Sequence, residues 1–425
     1  MASDRAGRVK RPTMPRVVFY LSSLPAGGLE RVTLTLMSAF IADGYAVDLL
    51  LERRVGSYLA LVPKGVRCLE LQAGSKWQAC LRLIVHWPSE GFRLAARMLW
   101  RPSEHVPLAR LGSVCRYLDH YAPDVMFASA GRIPFLALWA KRLSHTRCRV
   151  VIAEHSTFTA RLRAAREAPA AYKRMRYRQG LIARLYATAD ALLAVSSGVA
   201  DDLSQTANVP RESIHVIHNP VVTDELREKA KLEPSHPWCL DTGLDVILAA
   251  GRLAPEKGFD QLVDAFARLA ESRPALRLLI VGEGPERCVL ASKIADLSLE
   301  DRVALPGWVD NPYALMSHSR VFVLSSLFEG LPVALIEALA CGCKVVANDC
   351  PSGPREILDD GRYGELVSVG DESALAEAIA AELVRDRSRA ALIERGSDFA
   401  AGPAVASYRT LIDDLMRPDA RITLG

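Results

Sequence analysis

The chain alternates short apolar runs with longer segments of helical periodicity. Several of the runs have no polar residue at alternate positions, which is typical of parallel strands buried on both faces. Helical segments of about 10–15 residues separate many of them, which indicates βα units and doubly wound sheets. Nine runs are predicted as strands: residues 16–21, 46–51, 124–129, 148–153, 191–195, 245–250, 276–281, 321–326 and 344–348.

The clearest break in this pattern follows residues 216–221, "VIHNPV". From there to about residue 243 the chain is polar, with "EPSHPW" and "DTG" as turn signals. A length of 425 residues also favours more than one domain. The pattern predicts two Rossmann-like domains, over residues 1–220 and 221–400. A C-terminal helix within residues 401–425 is expected to pack back on the first domain.

Composition narrows the class of protein. Hydrophobic residues make up 50% of the chain and charged residues 24%, as in globular proteins with large cores. No apolar run reaches the roughly 18–20 residues that span a bilayer. The first apolar run is short and passes into a Gly-rich turn, which favours a cytoplasmic chain over a secreted one. The nine cysteines lack zinc-like spacing, so we expect buried free thiols and no metal centre.

The net charge of +4 conceals a strong asymmetry between the two halves. Residues 1–219 contain 31 Lys and Arg against 16 Asp and Glu, a balance of +15, whereas residues 220–425 contain 22 against 33, a balance of −11. The basic half lacks interleaved aromatic residues and any known nucleic-acid module, so we expect no nucleic-acid partner. Its Arg-rich helices fit an anionic membrane surface, and a simple solvated basic face is the alternative.

The stretch "FEGLPVALIEALACG", residues 328–342, places an acid inside an apolar segment. Pro332 suits the first turn of a helix over about residues 332–341, and the apolar residues of that helix surround Glu337. A buried carboxylate needs hydrogen-bond donors, which the hydroxyls of a ligand diol or a remote arginine would supply. Glu329 precedes the helix, at the carboxyl end of a predicted strand, where open α/β sheets bind ligands.

A second cluster lies in "ILAAGRLAPEKGFDQLVDAF", residues 247–266, which reads as strand, loop and helix. Arg252 and Lys257 in that loop suit a diphosphate, with ordinary surface charges as the alternative. "VGEGPE", residues 281–286, is an incomplete Gly-rich phosphate loop. In the first domain, Gly27 and Gly28 follow the first strand and would let the backbone approach a ligand.

These segments resemble the retaining glycosyltransferases of family 4, which have the GT-B fold. The likeness is greatest over residues 245–370, where the two acids form the spacing E-x7-E. It extends to "GGLER" near the start of the chain and to "AVSSGVADDL" and "VIHNPV". Residues 75–120 and those beyond 400 match no motif of the family. Val333 stands where the family often has an Asn, so the resemblance does not define the donor contacts at that position.

The resemblance assigns roles to the candidate residues. It implies that Glu337 binds the ribose hydroxyls of a nucleotide-sugar donor, that Glu329 faces the transferred sugar, and that Arg252 and Lys257 hold the diphosphate. His155, which by itself reads as a structural histidine at a strand end, matches a histidine near the reacting carbon. The implied phosphate site also includes Gly28 and the backbone N–H groups from Gly330 through Leu331 and Pro332 to Val333.

The implied activity is transfer of a hexose, with an N-acetylhexosamine as one candidate, from a UDP-sugar to a lipid-linked or lipopolysaccharide-type glycan. The active site would lie between the two domains, and neither a metal nor another cofactor is expected. The enzyme would work on the inner face of the cytoplasmic membrane. A GDP-mannose-dependent mannosyltransferase and a GT-B-fold epimerase or phosphorylase are the alternatives within enzymes, and a basic nucleic-acid-binding protein is the non-enzymatic one.

Overall fold

The computed structural model describes residues 15–25, 27–100 and 108–417, so the basic N-terminal residues 1–14 and the end of the predicted C-terminal segment lie outside it. The described residues form two compact units. The first unit contains residues up to Ala194, then Ala200–Val216 and the residues from Ser407 onward. The second unit contains Val195–Val199 and Ile217–Ala406.

The first unit is built on a seven-stranded parallel sheet in the order β3-β2-β1-β4-β5-β6-β7. Its first strand pairs on both sides, with Val17 opposite Val47 and also opposite Val125. The strands are β1 (Arg16–Leu21), β2 (Ala46–Leu51), β3 (Arg67–Glu70), β4 (Val125–Ser129), β5 (Arg149–Glu154), β6 (Ala191–Ala194) and β7 (Ile214–Val216).

Helices connect these strands in the manner of a doubly wound fold. The helix between β4 and β5 is the most deeply buried, because nine of its eleven residues, Trp139 among them, are in the core. The helices up to β7 are α1 (Gly28–Ala42), α2 (Lys76–His86), α3 (Pro88–Trp100), α4 (Leu111–Tyr121), α5 (Ile133–Leu143), α6 (Phe158–Ala164), α7 (Pro169–Leu185) and α8 (Ser197–Ala207).

The second unit is built on a six-stranded parallel sheet in the order β10-β9-β8-β11-β12-β13. Its apolar core includes Ile247, Leu278 and Val323 from three neighbouring strands, and Phe266 from a covering helix. The strands are β8 (Asp245–Ala250), β9 (Leu276–Val281), β10 (Val303–Gly307), β11 (Val321–Leu324), β12 (Lys344–Asn348) and β13 (Glu365–Val367).

The helices that follow β7 are α9 (Asp224–Lys229), α10 (Phe259–Ala270), α11 (Arg287–Asp296), α12 (Pro312–His318), α13 (Val333–Ala340), α14 (Pro354–Ile357), α15 (Glu372–Val384), α16 (Arg389–Ser397) and α17 (Ala401–Met416). From Ser407 onward, α17 belongs to the first unit. There the ring of Tyr408 packs on Phe127 of β4, with centroids 5.6 Å apart, and Arg409 forms an ion pair with Asp43.

The predicted fold class, two doubly wound parallel sheets, is confirmed. All nine predicted strands are present, with bounds that differ by at most two residues. The four strands that the pattern did not predict, β3, β7, β10 and β13, are the two edges of each sheet. An edge strand is short and packs on one neighbour only, so its sequence carries little of the apolar signal that marks a central strand. Among the described residues, no helix combines the length and the apolar character that crossing a bilayer requires.

Candidate functional site

The candidate site of the second unit lies at the carboxyl edge of its sheet. Strands β8 and β11 are neighbours there, with β9 on the far side of β8 and β12 on the far side of β11. The chain winds away from this point in both directions, which opens a crevice at the carboxyl ends of the two strands. The loop after β8 carries Arg252 and Lys257, and the loop after β11 carries Glu329. The topology therefore brings both predicted motifs to one edge.

A glycine allows these two loops to touch. Gly258 ends a 3₁₀ turn, Pro255–Lys257, and starts α10 in a left-handed conformation with φ of +60°. A Cβ atom at this position would lie 2.3 Å from the backbone oxygen of Ser325, so a larger residue would force the loops apart. The Oγ of Ser325 donates to the Lys257 carbonyl at 2.8 Å, and the N–H of Leu327 donates to Glu256 at 2.9 Å.

The centre of the contact is an ion pair between two predicted site residues. Lys257 Nζ lies 2.6 Å from Glu329 Oε1, and the same oxygen accepts a hydrogen bond from Ser326 Oγ at 2.7 Å. The side chains of Lys257 and Glu329 are 24% and 13% exposed, so solvent screens the pair only in part. Ser326 was missed by the sequence reasoning, although its position three residues before the acid is a usable signal.

Arg252 is placed differently from Lys257. Its guanidinium pairs with Glu256, four residues further along the same loop, and its side chain is 64% exposed. An exposed pair of this kind contributes little to stability, so the guanidinium can exchange its carboxylate for another anion at small cost. The predicted second cation is therefore beside the site and accessible.

Glu337 is buried within α13, where 4% of its surface is exposed. The helix begins at Val333, one residue later than predicted, because Pro332 forms its N-cap. The phenol of Tyr313, on α12, donates a hydrogen bond to Glu337 Oε1 at 3.3 Å. The sequence reasoning considered ligand hydroxyls and a remote arginine as partners for this acid, and it missed the tyrosine.

The loop that leads into α13 is held by serine side chains. The carbonyl oxygen of Gly330 accepts from Ser196 Oγ at 2.9 Å and from Ser352 Oγ at 2.8 Å. One expectation needs correction here: Pro332 has no N–H, so within Gly330–Val333 only the other three residues carry an N–H group for an anion. The predicted phosphate site is thus limited to these three N–H groups at the start of α13, and phosphate binding there stays a prediction.

Residues Val195–Val199 belong to the second unit, although the sequence pattern assigned them to the first domain. Hydrogen bonds explain this placement. Besides the Ser196 contacts, the N–H of Ser197 donates to Glu356 Oε2 at 3.0 Å, and His218 Nε2 lies 2.7 Å from Glu356 Oε1. Periodicity along the chain does not report such long-range bonds.

The glycines of "VGEGPE" have a local packing role. Gly282 has φ of +138°, and a Cβ atom there would lie 1.9 Å from the carbonyl oxygen of Gly251. The N–H groups of Gly251 and Leu253 donate to Val281 and Glu283 at 2.9 and 3.0 Å. The loop of residues 281–286 therefore supports the Arg252 loop by close backbone contact. This contact requires glycine, which explains why the segment is Gly-rich although it lacks the third glycine of a dinucleotide-binding motif.

Three predicted site residues lie in the first unit. His155 follows β5, and burial lowers its pKa to about 4, so its imidazole is neutral at pH 7. Its neighbour Glu154 accepts a 2.5 Å hydrogen bond from Tyr186. Gly28 is the first residue of α1 and Gly27 is its extended N-cap, and the approach of their backbone to a ligand stays a prediction.

All nine cysteines are free thiols. Cys341, Cys343 and Cys350 are buried, and burial raises the pKa of Cys343 and of Cys350 to about 12, so these thiols are protonated and unreactive at neutral pH. In the part of the chain that the structure describes, no group of three or more His, Cys, Asp and Glu is arranged to hold a metal ion. The metal-independent reaction stays a prediction.

Comparison with known protein families places the chain among sugar transferases. Residues 26–225 match the family described as "Glycosyltransferase Family 4", and residues 236–399 match "Glycosyl transferases group 1". The chain is a family 4 glycosyltransferase. The predicted family is thus confirmed, and the matches cover both units of this transferase.

The curated relatives of this glycosyltransferase resemble it over part of their length. The N-acetylgalactosamine-N,N'-diacetylbacillosaminyl-diphospho-undecaprenol 4-alpha-N-acetylgalactosaminyltransferase of Campylobacter jejuni is 36% identical over 213 residues, 50% of this chain and 55% of that protein. The lipopolysaccharide core biosynthesis glycosyltransferase LpsE of Rhizobium meliloti is 37% identical over 166 residues, 38% of this chain and 47% of that protein. These matches span about half the length of each relative.

Solved structures share the GT-B fold with this glycosyltransferase at low sequence identity. A glycosyltransferase from Rickettsia africae superposes with a TM-score of 0.72 at 16% identity and covers 96% of this chain and 100% of its own. Anabaena HepE, solved in complex with UDP, superposes with a TM-score of 0.68 at 19% identity over 94% of this chain and 100% of its own. At such identities the likeness supports the fold alone.

Proposed function

We propose that this family 4 member is a retaining transferase that moves a hexose from a nucleotide diphosphate sugar to a hydroxyl of a lipid-linked or lipopolysaccharide-type glycan. The observation that carries the proposal is the contact of Lys257 with Glu329 at the carboxyl edge of β8 and β11. A cation and a carboxylate at one point suit a ligand with a diphosphate on one side and sugar hydroxyls on the other.

The proposed reaction needs stabilisation of a leaving diphosphate. The acceptor hydroxyl oxygen forms a bond to the anomeric carbon while the bond from that carbon to the diphosphate breaks. The electron pair of the broken bond stays on the diphosphate oxygen, which takes up the hydroxyl proton. Lys257 and Arg252 neutralise the charge that develops there, together with the N–H groups at the start of α13. Retention follows when attack and departure use the same face of the sugar.

The acids and the histidine orient the donor in this proposal. Glu337 accepts hydrogen bonds from the ribose hydroxyls, with Tyr313 holding one of its oxygens. Glu329 accepts from hydroxyls of the transferred sugar once Lys257 turns to the diphosphate. Neutral His155 hydrogen-bonds the sugar near the reacting carbon without adding a charge.

A panel of nucleotide sugars tests the donor assignment. The pure protein is incubated with UDP-glucose, UDP-galactose, UDP-N-acetylglucosamine, UDP-N-acetylgalactosamine and GDP-mannose, and released UDP or GDP is measured. We expect release from a UDP-sugar that disappears in Lys257→Met. Release from GDP-mannose alone would support the mannosyltransferase alternative, and the absence of release and of binding for every donor would contradict the proposed function.

Two relatives support the choice of acceptor class. One is named for a diphospho-undecaprenol acceptor and the other for the lipopolysaccharide core. Both names describe glycans that grow on a lipid, so we propose an acceptor of this class for the present chain. The anomeric outcome, read by NMR of the product, tests retention: a product with the donor's anomeric configuration is expected, and an inverted one would contradict the mechanism.

The first unit has an exposed apolar surface that suits a membrane. Helices α2 and α3 bury one face each, through Leu83 and Leu94. Their outer faces expose large apolar side chains among arginines, which favours the interface of an anionic bilayer. The residues of this surface are Trp77, Leu81, Val85, Phe92, Leu99 and Trp100, which are 48–84% exposed. We propose that it rests on the inner face of the cytoplasmic membrane.

Liposome sedimentation tests this placement with a matched control. Val85 on α2 and Val384 on α15 are 74% and 76% exposed. Val384 lies in the second unit, away from the proposed membrane surface in the sequence and in the fold of its own sheet. We expect Val85→Asp to reduce pelleting with anionic vesicles, Val384→Asp to leave it unchanged, and added salt to weaken it through screening. Equal pelleting with neutral vesicles, or none with anionic ones, would contradict the membrane proposal.

A further inference from the structure

The first unit contains a cavity of about 730 Å³ at the carboxyl edge of its sheet. Its walls include Ser22 after β1, Glu52 after β2, and Gly131 after β4. These are neighbouring strands in the order β2-β1-β4. The chain winds away from β1 and β4 in opposite directions, so the cavity occupies the position where doubly wound sheets bind ligands. None of the residues assigned above to the donor lines this cavity, so the proposed function leaves the cavity without a role.

The lining of the cavity is strongly cationic. Of its 16 lining residues, seven are Arg or Lys and one, Glu52, is acidic. Arg132 binds both oxygens of Glu52, at 2.9 and 2.6 Å, and so neutralises the acid. The other six cations come from five segments: the loop after β2, helix α2, helix α3, the residue before α4, and helix α7. Like charges that converge on one space repel each other, and an anion inside that space relieves the repulsion.

Several of these cations are held in place by the fold. Arg178 of α7 donates to the Gly131 carbonyl at 2.7 Å, and its buried Nε has no hydrogen-bond partner in the described part of the chain. Burial and the nearby charge of Arg161 lower the pKa of Arg178. Arg110 donates to the Glu52 carbonyl at 2.9 Å. The positions of these groups are therefore set before any ligand binds, which reduces the entropy that binding costs.

An aromatic contact and a buried phenol add to the same arrangement. The guanidinium of Arg97, from α3, lies 3.4 Å from the ring centroid of Tyr177 on α7, and both residues line the cavity. The hydroxyl of Tyr20 is buried and, among the described atoms, has no hydrogen-bond partner. Burial and the charge of the lining residue Glu52 raise its pKa. A phenol that stays protonated is a hydrogen-bond donor beside the cationic lining.

We propose that this cavity binds a phosphate-class group, a diphosphate ester or a sugar phosphate, carried by the acceptor. Several guanidinium groups around one space match the multiple oxygens and charges of phosphate better than the single charge of a carboxylate. Phe135 and Leu181 supply an apolar wall for whatever adjoins the phosphate. The phosphate site itself is independent of the reaction, whereas its role in holding an acceptor rests on the proposed function.

Matched pairs of surface arginines make the inference testable. Arg53 and Arg174 line the cavity, whereas their neighbours Arg54 and Arg176, which lie on the same segments and are also exposed, do not. Calorimetry on the full chain measures binding of inorganic diphosphate, farnesyl diphosphate and glucose 1-phosphate. For the tightest ligand we expect Arg53→Ala with Arg174→Ala to weaken binding about ten-fold or more, and Arg54→Ala with Arg176→Ala to change it less than two-fold.

The outcomes distinguish a lipid from a glycan as the carrier of the phosphate. They also distinguish failure of the phosphate site from failure of the proposed function. Tightest binding of farnesyl diphosphate supports a lipid-linked acceptor, and tightest binding of glucose 1-phosphate supports a phosphorylated glycan. Equal losses in the two double variants, or no saturable binding of any ligand, would overturn the inference. Nucleotide-sugar binding is measured in parallel with Lys257→Met. If only the double variant of Arg53 and Arg174 shows the expected loss and no nucleotide sugar binds, the phosphate site stands and the proposed function fails.

Discussion

Removing the Lys257 charge tests the mechanism most directly. Lys257→Met keeps the length of the side chain and deletes the ammonium that lies 2.6 Å from Glu329. Removal of one preorganised charge from an active site typically costs about 2–4 kcal/mol of transition-state stabilisation, so kcat/KM should fall about 30- to 1,000-fold. Glu329→Gln should act differently, because it releases Lys257 for the diphosphate: nucleotide affinity should be kept or increased while turnover falls.

Lys257→Met should affect the stability of the fold less than it affects catalysis. Surface ion pairs contribute about 0.2–1 kcal/mol, and breaking a fully buried pair costs about 3–5 kcal/mol. With exposures of 24% and 13%, the pair of Lys257 and Glu329 lies between these limits. Ser326 still donates to the carboxylate in the variant, which offsets part of the loss. We expect the free energy of unfolding to fall by about 1–2 kcal/mol, too little to unfold the protein.

A second lysine in the same unit provides the control. Lys293 pairs with Asp264, and the two side chains are 28% and 30% exposed. Lys293→Met removes a comparable ion pair on α11 and α10, so its denaturation midpoint should shift similarly while kcat/KM stays within about two-fold of wild type. Steady-state kinetics and urea unfolding are measured for both variants. If Lys257→Met kept wild-type kcat/KM, or if Lys293→Met lost as much activity, the assigned diphosphate site would be wrong.

Three further outcomes follow from the site. Glu337→Gln should weaken nucleotide binding about 10- to 100-fold, the loss expected for a charge-assisted hydrogen bond. Tyr313→Phe should have a smaller effect. If calorimetry gave Glu337→Gln the same nucleotide affinity as wild type, the ribose role of Glu337 would be wrong. Chelation with EDTA should leave turnover intact, whereas complete loss that manganese or magnesium restores would disprove the metal-free mechanism. His155 has a native pKa of about 4, below the unfolded value near 6.5, so its contribution to stability is complete at pH 7 and declines as pH falls from about 6.5 to 4. The stability of wild type relative to His155→Gln should therefore drop by about 2 kcal/mol between pH 7 and pH 5 in urea unfolding, and an unchanged difference would contradict the lowered pKa of this imidazole.

The sequence by itself determined the central strands, the fold class and the two loops of the candidate donor site. Central strands such as residues 245–250 are buried on both faces, so each carries a continuous apolar run that is visible without a structure. The sequence also identified Glu329 and Glu337 as candidate site residues. Burying a carboxylate in apolar surroundings costs free energy, which only a hydrogen-bonding or charged partner can offset.

The tertiary structure decided which groups meet across long stretches of sequence. The edge strands, the bond from Tyr313 to Glu337 and the serines that hold Gly330 depend on residues brought together by folding. The cationic cavity of the first unit is the clearest case. Arg53, Arg97 and Arg178 lie on separate segments, so the sequence pattern does not distinguish them from ordinary surface charges. Only the order of the strands in the sheet brings them to one cavity.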